Sequence, residues 1–281
     1  MQPKIWQSKT LILLIAGILA IFVGRTLLVK GYNAPLLSDI LMGLIALGSL
    51  GVCVTGFRHL RPGDWLAAAA LGALVGVEMR FATLFSPYPF FGVMRDNTGQ
   101  AFVRGSLTFI ATLGGLVIMR QGGPVQLAAA NGDWRKSAHD ALFGLAVGLP
   151  LAALNVVALQ MTAGHGILWQ NPFAALLDAL QPGVVEEVIY RFGAWGLLWL
   201  MLRRSLPQQA ASVAGLLALL VHNYAHLDAL LAEAPLVALG MGLVMGIVWG
   251  LPPFFLARRR SLEAAMAFHW IQDAARFLVG F

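Results

Sequence analysis

Glu186 and Glu187 stand side by side in an otherwise apolar run, Pro182-Gly183-Val184-Val185-Glu186-Glu187-Val188-Ile189-Tyr190-Arg191. The stretch from about Phe173 to Leu202 is long and apolar enough to cross a bilayer. A charged carboxylate at mid-membrane depth costs about 2.5–3.5 kcal/mol on insertion scales, so a functional site is the default reading. Further polar groups lie in later apolar runs: His222-Asn223-Tyr224-Ala225-His226 and His269-Trp270-Ile271-Gln272-Asp273. Residues four apart share a helix face. His222 therefore points with His226, His269 with Asp273, and Glu187 with Arg191, the last in the order that favours an ion pair. Glu186 points about 100° away from Glu187 and is free to face something else. Glu187 and Arg191 read as a structural pair, with Arg191 offsetting negative charge, and Glu186 as the working group. A carboxylate that takes a proton from water, beside histidines that hold a water, a metal or an oxyanion, suits hydrolysis of an amide.

The elements that position these groups are membrane helices. The chain is 59% hydrophobic and 11% charged, where a soluble domain is nearer 25% charged. The expected fold is all-α, a polytopic transmembrane helix bundle of about 8–9 spans. Nine apolar runs qualify by length: 10–29, 36–56, 65–85, 101–119, 138–161, 172–202, 210–230, 234–256 and 262–280. The third carries Glu78 and Arg80 and runs into Ser86-Pro87-Tyr88-Pro89, which makes it a short or re-entrant candidate. The sixth is too long for one straight span, and Pro182-Gly183 is placed to break it. Pro252-Pro253 should end or kink the eighth. Lys4 and Lys9 precede the first run as in a signal peptide, but its length to about Val29 and the lack of a small-residue cleavage site make it a retained membrane helix. One cysteine, Cys53, allows no intrachain disulfide.

The net charge of +6 points to basic cytoplasmic loops and not to nucleic acid. With the N-terminus inside and nine alternating helices, twelve basic residues fall inside: Lys4, Lys9, Arg58, Arg61, Arg120, Arg135, Lys136, Arg203, Arg204 and Arg258 to Arg260. Five fall outside: Lys30, Arg80, Arg95, Arg104 and Arg276. The balance favours N-terminus in and C-terminus out. His59, His139 and His165, and Trp6, Trp65, Trp134 and Trp169, fall near helix ends and read as interfacial. The many glycines within spans read as close helix packing.

The constellation resembles the CAAX protease and bacteriocin-processing family of intramembrane proteases, which includes the Ras-converting CAAX prenyl endopeptidase. Glu186-Glu187-Val188-Ile189-Tyr190-Arg191 matches its first motif, Ala225-His226-Leu227 its second, and His269 to Asp273 its third. The glycine-rich segment Gly240 to Gly246 and the basic turn after it look like the stretch between the second and third motifs. The resemblance covers about Asp178 to Phe281. It implies that Glu186 activates water, that His226 assists, and that His269 and Asp273 bind the tetrahedral oxyanion. Two positions depart from the pattern. His222 stands where phenylalanine is usual, and Asp273 where asparagine is common. An aspartate donates no hydrogen bond unless protonated, so Asp273 suits a metal better than an oxyanion.

The resulting expectation is an intramembrane endopeptidase acting on a membrane-anchored protein or peptide. Its catalytic residues would be Glu186, His226, His269 and Asp273, with Glu187, Arg191 and His222 supporting. The cofactor reading stays open between a divalent metal such as zinc, held by Glu186, His226, His269 and Asp273, and no metal. Residues 171–281 would form the catalytic bundle and 1–170 an N-terminal set of helices without an assigned role. The expected setting is the lipid bilayer of a bacterial inner membrane. A non-catalytic protein giving bacteriocin-type immunity by binding is the alternative, and a small-solute transporter a third idea. Depth poses a condition. His269 lies nine residues from Arg260, about 13 Å at helical rise, while Glu186 lies 17 residues from Arg203, about 25 Å. The groups meet only if helices are tilted, broken or offset, and a common site then leans to the middle or outer leaflet, toward an exported, membrane-anchored substrate.

Overall fold

The structure, a computed structural model, describes residue 5 and residues 8–29, 35–85, 89–162 and 164–281. Lys4, Trp6, Lys30, Ser86, Pro87 and Tyr88 lie outside the described residues. Helix accounts for 81% of the structure, and no strand forms among the described residues. The helices are α1 (Lys9–Val29), α2 (Leu37–Gly56), α3 (Pro62–Phe81), α4 (Asn97–Arg120), α5 (Trp134–Thr162), α6 (Pro172–Asp178), α7 (Leu180–Glu186), α8 (Trp195–Leu202), α9 (Ala210–Ala225), α10 (Asp228–Glu233), α11 (Pro235–Met245), α12 (Leu251–Arg259) and α13 (Leu262–Leu278). The π-helical segments Glu187–Ala194 and Gly246–Gly250 join α7 to α8 and α11 to α12. Among the described residues, five stretches are long and apolar enough to cross a membrane: Lys9–Val29, Leu37–His59, Asn97–Arg120, Trp134–Thr162 and Pro235–Arg259. The chain is an integral membrane protein, and exposed side chains such as Leu13, Leu19, Val23 and Leu27 on α1 suit contact with lipid.

The interruptions follow from the residues. Asn171 caps α6, its Oδ1 accepting from the backbone N–H groups of Phe173 and Ala174 at 2.9 and 3.3 Å. The break between α6 and α7 falls at Ala179, one turn before Pro182, because Pro182 has no N–H for the carbonyl of Asp178. The Pro182-Gly183 pair therefore acts one turn upstream of its own position. Pro252 and Pro253 likewise leave the carbonyls of Val248 and Trp249 without helical donors. The helix does not end there but widens into the π-turn Gly246–Gly250 and continues as α12.

The helices run back and forth between two ends. At one end Ser8 meets Ser205 at 3.2 Å, Arg203 meets Gln121 at 3.5 Å, Leu262 N donates to Gln126 O at 2.8 Å, and Ala129 N donates to Glu263 Oε1 at 2.8 Å. The arginines that close α4, α8 and α12 gather here. At the other end Arg25 pairs with Asp228 at 2.8 Å, Phe91 N donates to Asp39 at 2.9 Å, and Leu168 N donates to Val279 O at 3.0 Å.

Close approach sets the helix pairs around the site. A Cβ on Gly144 would meet the carbonyl oxygen of Ala264 at 2.1 Å, so α5 lies backbone to backbone on α13. A Cβ on Gly183 would meet the Cα of Trp270 at 2.9 Å, so α7 does the same from the other side. The π-helix seats Phe192 against Gly115 of α4. The stretch before residue 170 thus packs directly on the elements that carry the glutamates and His269.

Candidate active site

Glu186 ends α7 and Glu187 opens the π-helix that carries Tyr190 and Arg191. His222 lies in the last turn of α9, His226 caps it, and His269 and Asp273 lie on α13. These four elements converge. Glu186 Oε2 lies 2.7 Å from His222 Nε2, 3.3 Å from His226 Nε2 and 3.7 Å from His269 Nε2. No protein group bonds its Oε1 among the described residues, and its side chain is 16% exposed. The His226 side chain is 46% exposed and forms the open side of the cluster, whereas the Glu187 side chain is fully buried.

Glu187 is the hub beneath. Its Oε1 accepts from Arg191 Nη1 at 2.7 Å and from His269 Nδ1 at 2.9 Å. The pair expected from the i,i+4 spacing is present, and Glu187 also fixes the ring of His269, which the spacing did not reveal. The other ring nitrogen of His269 faces Asp273 Oδ2 at 3.3 Å. With carboxylates on both nitrogens, the ring is served best as a double donor. Asp273 is engaged on both oxygens, since Arg276 Nη2 reaches its Oδ1 at 3.0 Å. It is an acceptor here, and the N–H of His269 is the donor that this pair offers.

The depth condition is met by an offset. Ser261 and Leu262 are fully buried, and Leu262 N is bonded to Gln126 O of the connector before α5. Helix α13 therefore begins inside the protein beneath that connector rather than at its surface.

Among the described residues, Glu186, His222 and His226 bring three donor atoms within 4.8 Å of one another, close enough to be candidate ligands for a metal ion. The expected set of Glu186, His226, His269 and Asp273 is not drawn into one such group, because His269 and Asp273 are turned toward each other and toward Glu187 and Arg276. The separations of 2.7, 3.1 and 3.3 Å within the group are near the edge of a tetrahedron built on zinc bonds of about 2.0 Å, roughly 3.3 Å. The hydrogen bonding does not fit. Arg191 Nη1 lies 3.3 Å from His222 Nδ1, and a guanidinium only donates. Nδ1 must then accept, the ring proton resides on Nε2, and the nitrogen facing Glu186 has no lone pair to give a metal.

Sequence reasoning placed His222 only as a supporting residue. Its position four before His226 was the signal for more, and the structure gives it the shortest contact to Glu186. His59 and His139 lie apart from the site at exposed positions, and His165 stacks on Phe281.

Comparison with known proteins agrees with the motif pattern. A family model described as type II CAAX prenyl endopeptidase Rce1-like matches residues 168–275, close to the stretch expected from the motifs. No curated protein and no solved structure matches the chain. The matched segment holds all seven residues of the cluster, and that family points to protease activity. The match over residues 168–275 supports membership of that segment in the CAAX protease and bacteriocin-processing family of intramembrane proteases.

Proposed function

We propose that the protein is an intramembrane endopeptidase in which Glu186 activates water. The observation that supports this most is the pairing of a carboxylate having one free oxygen with an imidazole N–H held nearby. Glu186 Oε2 is taken by His222 and His226, so Oε1 is the oxygen left to take a proton from water. As the water oxygen bonds to the scissile carbonyl carbon, charge moves to the carbonyl oxygen. The Nε2–H of His269, held loosely by Asp273 at 3.3 Å, turns to donate to that oxygen, while Glu187 on Nδ1–H and the nearby Asp273 sustain the ring's positive charge. The proton taken by Glu186 then passes to the leaving nitrogen, and the C–N bond breaks.

A helix hides its carbonyls in its own hydrogen bonds, so the substrate must be extended at the cut. With the arginine-rich end in the cytoplasm, the exposed His226 faces the opposite half of the membrane. That placement suits a membrane-anchored segment of an exported protein. The setting we propose is a bacterial inner membrane, N-terminus in and C-terminus out.

The test uses purified protein in detergent with the solubilised membrane fraction as substrate. Wild type should release new peptides and Glu186→Gln should release none, with the same melting temperature. A binding protein that confers immunity would keep its function in Glu186→Gln. A transporter would act in sealed vesicles and be silent in detergent.

A further inference from the structure

We infer that His222 is a positioning residue, clamped between Arg191 and Tyr190 so that it always presents an N–H to Glu186. The inference rests on the reading of Glu186 as the general base and gives a role to the histidine that stands where the family pattern usually has phenylalanine. Arg191 Nη1 has two hydrogens. One serves Glu187 Oε1 at 2.7 Å and the other faces His222 Nδ1 at 3.3 Å. A donor on Nδ1 leaves the ring proton on Nε2, 2.7 Å from Glu186 Oε2. The ring plane is set independently, because Tyr190 stacks on it with centroids 4.4 Å apart and planes at 18°. The side chain is 6% exposed, so water does not compete for either nitrogen.

The consequence is a relay of position across the site. Arg191 of the π-helix fixes the tautomer of His222 on α9, and His222 fixes which oxygen of Glu186 stays free. Glu187, the partner of the same arginine, fixes His269 on α13. The base and the oxyanion donor are thereby held in one frame by a single guanidinium. A phenylalanine at 222 could keep the stacking on Tyr190 but would leave Glu186 without this donor. An asparagine would keep an acceptor for Arg191 and lose the reach to Glu186. A glutamine carries an amide N–H at about the position of Nε2 and keeps the donor.

The experiment compares His222→Phe, His222→Asn and His222→Gln with wild type for kcat, KM, melting temperature and bound zinc. His222→Phe and His222→Asn should lower kcat about 10- to 100-fold, with KM within about twofold, as expected for loss of alignment rather than of binding. His222→Gln should recover most of the rate. Equal rates in wild type and His222→Phe, or equal losses in all three variants at unchanged melting temperature, would overturn the assignment. So would one zinc per wild-type chain that is lost in His222→Phe. Glu186→Gln measured alongside separates the two levels. If it is inactive while His222→Phe is fully active, only the role of His222 falls; if it cleaves like wild type, the reading beneath falls first.

Discussion

Replacing Gly183 by alanine should impair catalysis without touching any polar group. Gly183 is the point where α7 rests on α13, and an added Cβ would lie 2.9 Å from Trp270 Cα and 3.0 Å from its nitrogen. Ordinary contact begins at 3.4 Å, so the shortfall is 0.5 Å (3.4 less 2.9) against backbone that cannot rotate away. Moving α13 by that amount carries along His269, the residue before Trp270. If the shift falls along the His269 Nδ1–Glu187 Oε1 bond, its 2.9 Å grows to about 3.4 Å, beyond the usual 3.2 Å for N–H···O. Overpacking of this kind costs about 1–3 kcal/mol, and misplacement of a catalytic frame by about 1 Å costs about 100-fold in rate. We therefore expect Gly183→Ala to melt lower than wild type and to cleave about 10- to 100-fold more slowly, with KM little changed. The assay follows appearance of the cleaved terminus with purified protein at a temperature where both variants are folded. Gly240→Ala is the control, since nothing lies within 4 Å of a Cβ there. A Gly183→Ala protein that cleaves at the wild-type rate would refute the coupling of α7 and α13 through this contact.

Three other outcomes follow from the same geometry. Asp273→Asn should keep cleavage within about tenfold of wild type, because an amide can still accept from His269, whereas Asp273→Ala should lose about 100-fold in kcat. Asp228→Ala strips Arg25 of its buried partner at 2.8 Å and Leu37 N of its acceptor at 3.0 Å. Breaking a buried pair costs about 3–5 kcal/mol, so thermal melting should fall markedly while the rate per folded molecule stays near wild type. Treatment with a zinc chelator followed by its removal should leave the rate unchanged, since Arg191 holds His222 in the tautomer that cannot ligate; loss of activity restored by zinc would contradict that.

The polar side chains were legible because an apolar background exposes them. Glu186, Glu187 and Arg191 in one run, His222 and His226 at four-residue spacing, and His269 with Asp273 all come together in space, and the Glu187–Arg191 pair forms as its spacing requires. The helical class was equally legible from composition. What the sequence concealed was three-dimensional. Which nitrogen of His222 faces Arg191 depends on how α9 crosses the π-helix, and no spacing rule reports it. That Ser261 and Leu262 are buried, with Leu262 N bonded to Gln126 O, depends on how the connector before α5 folds, and no count along the sequence reports it. The long sixth run broke at Ala179 rather than at Pro182, because a proline's missing donor is felt four residues earlier.

The central claim is that this chain cuts a membrane-anchored polypeptide by means of Glu186. Its most direct test compares peptide termini in the membrane proteomes of cells carrying wild type or Glu186→Gln at matched expression. The account predicts at least one new terminus with wild type alone, lying in an extended membrane-proximal segment on the side opposite the arginine-rich loops. Identical termini in the two strains, with the wild-type phenotype retained by the variant, would contradict it and leave a binding role in its place.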